Sequence, residues 1–191
     1  MYYATMYGSF TNGLRQFLGE IGVADDIKKV RSMSGKRLLM RTKLWPEVDE
    51  SSLWLRKDKV GFTTIPRTMT LIGRIMDQIS GKGVPLFSTY LPLWCRVFDE
   101  AFVEIRNERE LAFEAGFSGS RGVATWRARM RRLQELGFIG IRSGIASDFQ
   151  YVLILDPLLI IAGHAAAGAV DSLSHQSLTA RLIEIGAAEG D

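Results

Sequence analysis

The sequence predicts a mainly helical α+β fold with one small β-hairpin. Three observations carry that prediction. Apolar residues recur at spacings of three and four over Leu71–Ile79, Leu91–Phe102 and Val123–Leu133, the stripes of amphipathic helices. Two stretches rich in β-branched and aromatic residues, Phe138–Ile141 and Phe149–Leu155, flank a polar turn and read as paired strands. Hydrophobic residues make up 47% of the 191, against 24% charged, enough to build a core without a disulfide or metal staple.

Taken in order, the first 60 residues carry weak signals. Asp25–Met33 fits a short helix with acids at its start, where the helix dipole favours them. Leu38–Met40 and Leu53–Leu55 fit short strands or irregular cover, among glycines at 8, 13, 19, 22 and 35. From Ile65 the pattern sharpens. Pro66 suits a first helical position, and Leu71, Ile72, Ile75, Met76 and Ile79 then share one face until Gly81-Lys82-Gly83. A second helix is expected from Ser88-Thr89, with Pro92 in its first turn and Leu91, Trp94, Val97, Phe98, Ala101 and Phe102 buried. Val103–Ile105 is a short extended stretch. Asn107, with Glu110 three residues on, opens a short capped helix that stops at Gly116. A longer helix over 120–136 and the hairpin follow, closed by Pro157. An Ala/Gly-rich piece over 162–169 leads to a last helix over Ser177–Ile185.

Composition excludes several classes. The one cysteine, Cys95, forms no internal bridge, fits a reducing cytoplasmic setting, and falls on the buried side of its helix. The start lacks the basic and apolar regions of a signal peptide. The longest apolar stretch, Leu158–Val170, is too short to cross a bilayer, so no membrane partner is expected. His164 and His175 lack companions at metal-ligand spacing, and Ser34-Gly35-Lys36 and Ser80-Gly81-Lys82 lack the rest of a phosphate-binding loop. No cofactor, metal or enzymatic constellation is implied.

The formal net charge is +3, but its distribution is uneven. From Ile160 onward stand Arg181 and four acids, leaving 23 bases and 17 acids in the first 159 residues. Lys28, Lys29, Arg31, Lys36, Arg37, Arg41 and Lys43 fall in one acid-free run; Arg121, Arg127, Arg129, Arg131 and Arg132 fall in another. Such clusters are the footprint of a polyanion-binding surface.

The order over residues 88–155 is helix, short strand, short helix, tight turn, amphipathic helix, hairpin. With Glu110–Ser118, Trp126 followed by Arg129–Leu133, and Glu135-Leu136-Gly137-Phe138-Ile139, this resembles the winged helix-turn-helix superfamily. The resemblance covers about 70 residues and departs from the common pattern in a turn, Ser118–Gly122, a residue or two longer than usual. The whole chain also looks like regulators or replication proteins of bacterial plasmids and mobile elements. The resemblance implies a sequence-specific double-stranded DNA-binding protein, a transcriptional regulator or alternatively a plasmid replication or maintenance protein. It implies three parts: a basic segment over 1–64, a winged domain over 65–156, and a helical tail over 157–191 that completes the core or joins a homodimer.

Side-chain chemistry agrees. With Trp126 facing inward, 100° per residue puts Arg121, Ala124, Ala128, Arg131 and Arg132 on the opposite face, with Thr125 and Arg129 on one flank and Arg127 on the other. Small residues between arginines let a helix enter a major groove while guanidinium groups reach base edges or phosphates. Ser118 and Ser120 either cap that helix or bind a backbone phosphate. Arg142 stands at the hairpin tip. The run Lys28–Lys43, including Lys29, Arg31, Lys36 and Arg37, is either a phosphate-contacting arm or ordinary surface. A protein- or RNA-binding module and an enzyme with a site assembled from ungrouped residues are the competing readings.

Overall fold

The computed structural model describes residues 32–187, which fall in two units divided between Val60 and Gly61. The expected helix from Asp25 lies almost wholly outside the described residues.

The first unit contains α1, Met33–Leu44, and two single 3-10 turns, Glu50–Ser52 and Arg56–Asp58. The strand considered over Leu38–Met40 is instead helical. Its Leu, Met, Lys and Arg residues are good helix formers, and the Ser32 side chain caps the start by accepting from the Gly35 N–H at 3.0 Å.

The second unit is α+β: six helices and one three-stranded antiparallel sheet. Helix α2 spans Met69–Ser80 and buries Ile72, Ile75 and Met76 completely, the centre of the expected stripe. Helix α3, Phe87–Trp94, has no capping side chain of its own at Leu86. Asp77 on α2 supplies it, its Oδ1 accepting from the N–H groups of Leu86 (2.6 Å) and Phe87 (2.8 Å).

Two expectations for α3 need correction. Pro92 sits past the first turn, and the helix ends at Trp94 rather than carrying its stripe to Phe102. Leu86, Thr89, Tyr90, Pro92 and Leu93 are the buried residues, whereas Phe98 is 81% exposed. Beyond the helix the Arg96 guanidinium donates to the carboxylates of Glu110 and Glu114, and Ala101 takes φ 53° as the chain turns into the sheet. Cys95, at the end of α3, is exposed rather than buried.

Strands β1 (Phe102–Glu104), β2 (Ile139–Arg142) and β3 (Tyr151–Ile154) form the sheet in the order β1-β3-β2. Val103 pairs with Val152, which pairs with Ile141, while Phe102, Leu153 and Gly140 are aligned in the neighbouring row. Val103, Val152, Ile154 and Ile139 are buried and Phe102 and Leu153 exposed, the alternation of a sheet covered on one side.

Between β1 and β2 lie α4, Glu108–Glu114, and α5, Gly122–Glu135. Glycines end both. Gly116 and Gly137 each take φ 86°, and the next residues donate back to the Ala112 and Leu133 carbonyls. The chain ends in α6, Pro157–Ala166, and α7, Ser172–Glu184. Pro157 therefore opens a helix, with Asp156 as its cap, and part of the Ala/Gly-rich piece is helical. Helix α7 starts five residues before the expected Ser177 because Asp171 caps it through the Ser174 N–H. Ile161 and Leu178 bury these helices against the rest of the unit, and His164 Nε2 lies 2.9 Å from the Leu136 carbonyl.

Candidate nucleic-acid interface

Helix α5 is held by its apolar stripe. Trp126, Met130 and Leu133 are fully buried, and Trp126 meets Phe149 of the hairpin edge to face, with ring centroids 5.7 Å apart. That contact fixes the rotation of α5. Arg121, Ala124, Ala128 and Arg131 are consequently exposed, as the sequence placed them, whereas Arg132, expected on the same face, is half-buried.

The arginines of α5 have different surroundings. Arg121 stands at the helix start, exposed and without an ion pair among the described residues. Arg131 is exposed and stacks over the Phe149 ring at 5.3 Å, which orients its guanidinium without consuming its hydrogen-bond donors. The other three are engaged with the protein itself. Arg127 Nε donates to Glu108 Oε2 at 2.6 Å, an acid that holds the guanidinium above its ordinary pKa. Arg129 Nη2 donates to the Gly83 carbonyl at 3.0 Å. Arg132 Nε donates to the Ser80 carbonyl at 3.2 Å, and its Nη1 pairs with Glu135 at 2.9 Å. Arg129 and Arg132 thereby tie α5 to the end of α2 and the loop after it.

Glu108 joins three elements. Its side chain is 11% exposed, and while one oxygen holds Arg127, the other accepts from the Ser147 hydroxyl in the β2–β3 loop. The Asn107 side chain caps the helix that carries it, accepting from the N–H groups of Arg109 (3.1 Å) and Glu110 (3.4 Å). The loop, α4 and α5 are thus fastened at one carboxylate.

Helix α5 begins two residues later than expected. Neither Ser118 nor Ser120 caps it, and both are exposed beside a cleft of about 730 Å³. A Cβ at Gly122 would stand 2.9 Å from the Phe117 carbonyl oxygen, so the turn packs directly on the helix start. Arg106, Arg109 and Arg127 line the same cleft. Arg106 and Arg109 were missed from sequence; they flank the Asn107 cap, a signal for their position but not for their proximity to the turn. Arg106 pairs with Glu104 at 2.9 Å, and Arg109 has no ion pair among the described residues. Thr125 donates to the Arg121 carbonyl at 3.1 Å, and Arg142 is exposed at the end of β2.

The other predicted bases are in the first unit or beyond the described residues. Arg37 is exposed and Lys36 half-buried on α1, while Lys28, Lys29 and Arg31 lie outside the described residues. Among the described residues no three His, Cys, Asp or Glu side chains gather as a metal-ligand set, and no helix is long and apolar enough to cross a membrane. Comparison with protein-family models, curated proteins and solved structures finds no match.

Proposed function

We propose that this chain is a sequence-specific double-stranded DNA-binding protein of the winged helix-turn-helix kind, acting as a homodimeric transcriptional regulator. The observation that carries the reading is the outer face of α5, where Arg121 and Arg131, about 15 Å apart along the axis, are separated by Ala124 and Ala128. Neither guanidinium is consumed by an ion pair among the described residues, and the alanines let a groove wall approach the backbone. The order helix, strand, helix, helix, hairpin, with β3 central in the sheet, supports the same reading. In it α5 enters the major groove, Arg142 and the β2–β3 loop lie along the backbone, and Arg109 with Ser118 and Ser120 meets a phosphate.

Fluorescence anisotropy with duplex DNA across a salt series tests this, followed by selection from a random duplex library. Arg131→Ala is expected to weaken binding to every duplex and to reduce the salt slope by about one. Arg121→Ala is expected to relax sequence preference, at a cost of about 1–3 kcal/mol on the selected site. Unchanged affinity in both variants at moderate salt would remove α5 as the reading helix. A flat salt slope would turn attention to a protein-binding module instead.

A further inference from the structure

A second concavity lies where the end of α3, the lead into β1 and the β3–α6 connection meet. It measures about 910 Å³, and no residue of α5 lines it. Ile72, Ile154 and Pro157, all buried, give it an apolar base. Trp94 and Phe98 line it, the indole held in place by its N–H donating to the Thr64 carbonyl at 3.0 Å.

Among the described residues the charged members of the lining are Asp99 and Asp156, both exposed, and no Lys, Arg or His lines it, although the chain as a whole carries net charge +3. Asp156 uses Oδ1 to accept from the Leu158 N–H at 2.8 Å; its Oδ2 has no hydrogen-bond partner among the described residues. Its negative field reaches the core, where it adds to burial in resisting ionisation of Tyr90. Ala101, also in the lining, is the one non-glycine residue at positive φ among the described residues, and such strained backbone concentrates at ligand sites.

We propose that this cavity binds a small lipophilic cation, such as a quaternary ammonium, a phosphonium or a protonated aromatic amine. A cation leaving water for an apolar cavity needs opposite charge and polarisable aromatic groups to replace its hydration, and the lining carries two carboxylates and the Trp94 and Phe98 side chains. An anion meets two carboxylates there. A neutral apolar ligand of the same shape gains nothing from them. The proposal is independent of the reading of α5.

Titration calorimetry on the full chain with tetraphenylphosphonium and tetraphenylborate tests it, because the two ions match in size and shape and differ in the sign of charge. The cation is expected to bind saturably and at least about tenfold tighter than the anion, although the chain's net charge favours the anion. In the Asp99→Asn, Asp156→Asn double variant the cation's advantage is expected to disappear; asparagine keeps the cap of α6 and so the fold. Phe98→Ala, at an exposed position, is expected to weaken the cation about three- to tenfold. Absence of saturable cation binding, equal binding of both ions, or unchanged cation affinity in the double variant and in Phe98→Ala overturns the assignment.

Discussion

At the scale of single residues, Tyr90 and Gly73 illustrate opposite constraints. The Tyr90 hydroxyl is buried without a hydrogen-bond partner among the described residues, so its ring stabilises the core and its oxygen does not. Tyr90→Phe is expected to leave stability unchanged or raise it by up to about 1 kcal/mol in urea denaturation. Burial, aided by Asp156, pushes the phenol pKa well above its ordinary 10.0. The folded chain therefore keeps this proton where the unfolded chain releases it. Its stability is intact below pH 10 and falls as pH rises beyond it, and Tyr90→Phe is expected to flatten that alkaline decline. A Cβ at Gly73 would fall 2.5 Å from the Phe87 ring. Gly73→Ala is therefore expected to cost about 1–3 kcal/mol despite the better helix propensity of alanine, read as a lowered thermal midpoint.

At the scale of elements, the hairpin loop depends on Glu108. Glu108→Ala is expected to release both Arg127 and Ser147, leaving α4 and α5 folded while amide exchange in residues 143–148 accelerates. An unchanged exchange rate there would show that the loop is held without Glu108, by Phe149 against Trp126 and by its own bonds such as the Ala146 N–H to Gln150 Oε1. The sequence made α2, the Asn107 cap, the buried stripe of α5 and the hairpin legible, because each is written in periodicity or capping chemistry a few residues long. It did not reveal the end of α3. Phe98 and Phe102 continue the helical spacing, and no residue near Trp94 marks the stop; the partners that Arg96 finds just beyond it, Glu110 and Glu114, lie far along the chain. The partners of Arg129 and Arg132 were equally hidden, since the acceptors are backbone carbonyls of Gly83 and Ser80 that any residue there would present. The candidate interface was legible as a face, while the division of its arginines into solvent-facing and internally bound ones required tertiary structure.

At the scale of the whole molecule, α6 and α7 both complete the core and leave apolar surface outward. Ile161 and Leu178 are buried, while Leu159, Leu173 and Ile183 are exposed. If the proposed dimer uses this surface, sedimentation velocity is expected to give a dimer for the native chain and a monomer for Leu159→Lys, Ile183→Lys, with the fold retained because neither residue is buried. A monomeric native chain would require recognition without two-fold symmetry. The tail's part in the core was not decided by its sequence, since an Ala/Gly-rich piece packs as well between chains as within one. The sheet has a further consequence, in time rather than in space. Its central strand, β3, is the last of the three along the chain, so β1 has no partner until residues 151–154 exist. The β2–β3 hairpin closes locally, whereas capture of β1 spans some fifty residues and both intervening helices. On a ribosome the apolar Phe102 and Val103 therefore wait through the synthesis of α4 and α5, and a chain stopped at residue 142 holds two strands that cannot pair with each other in the native order.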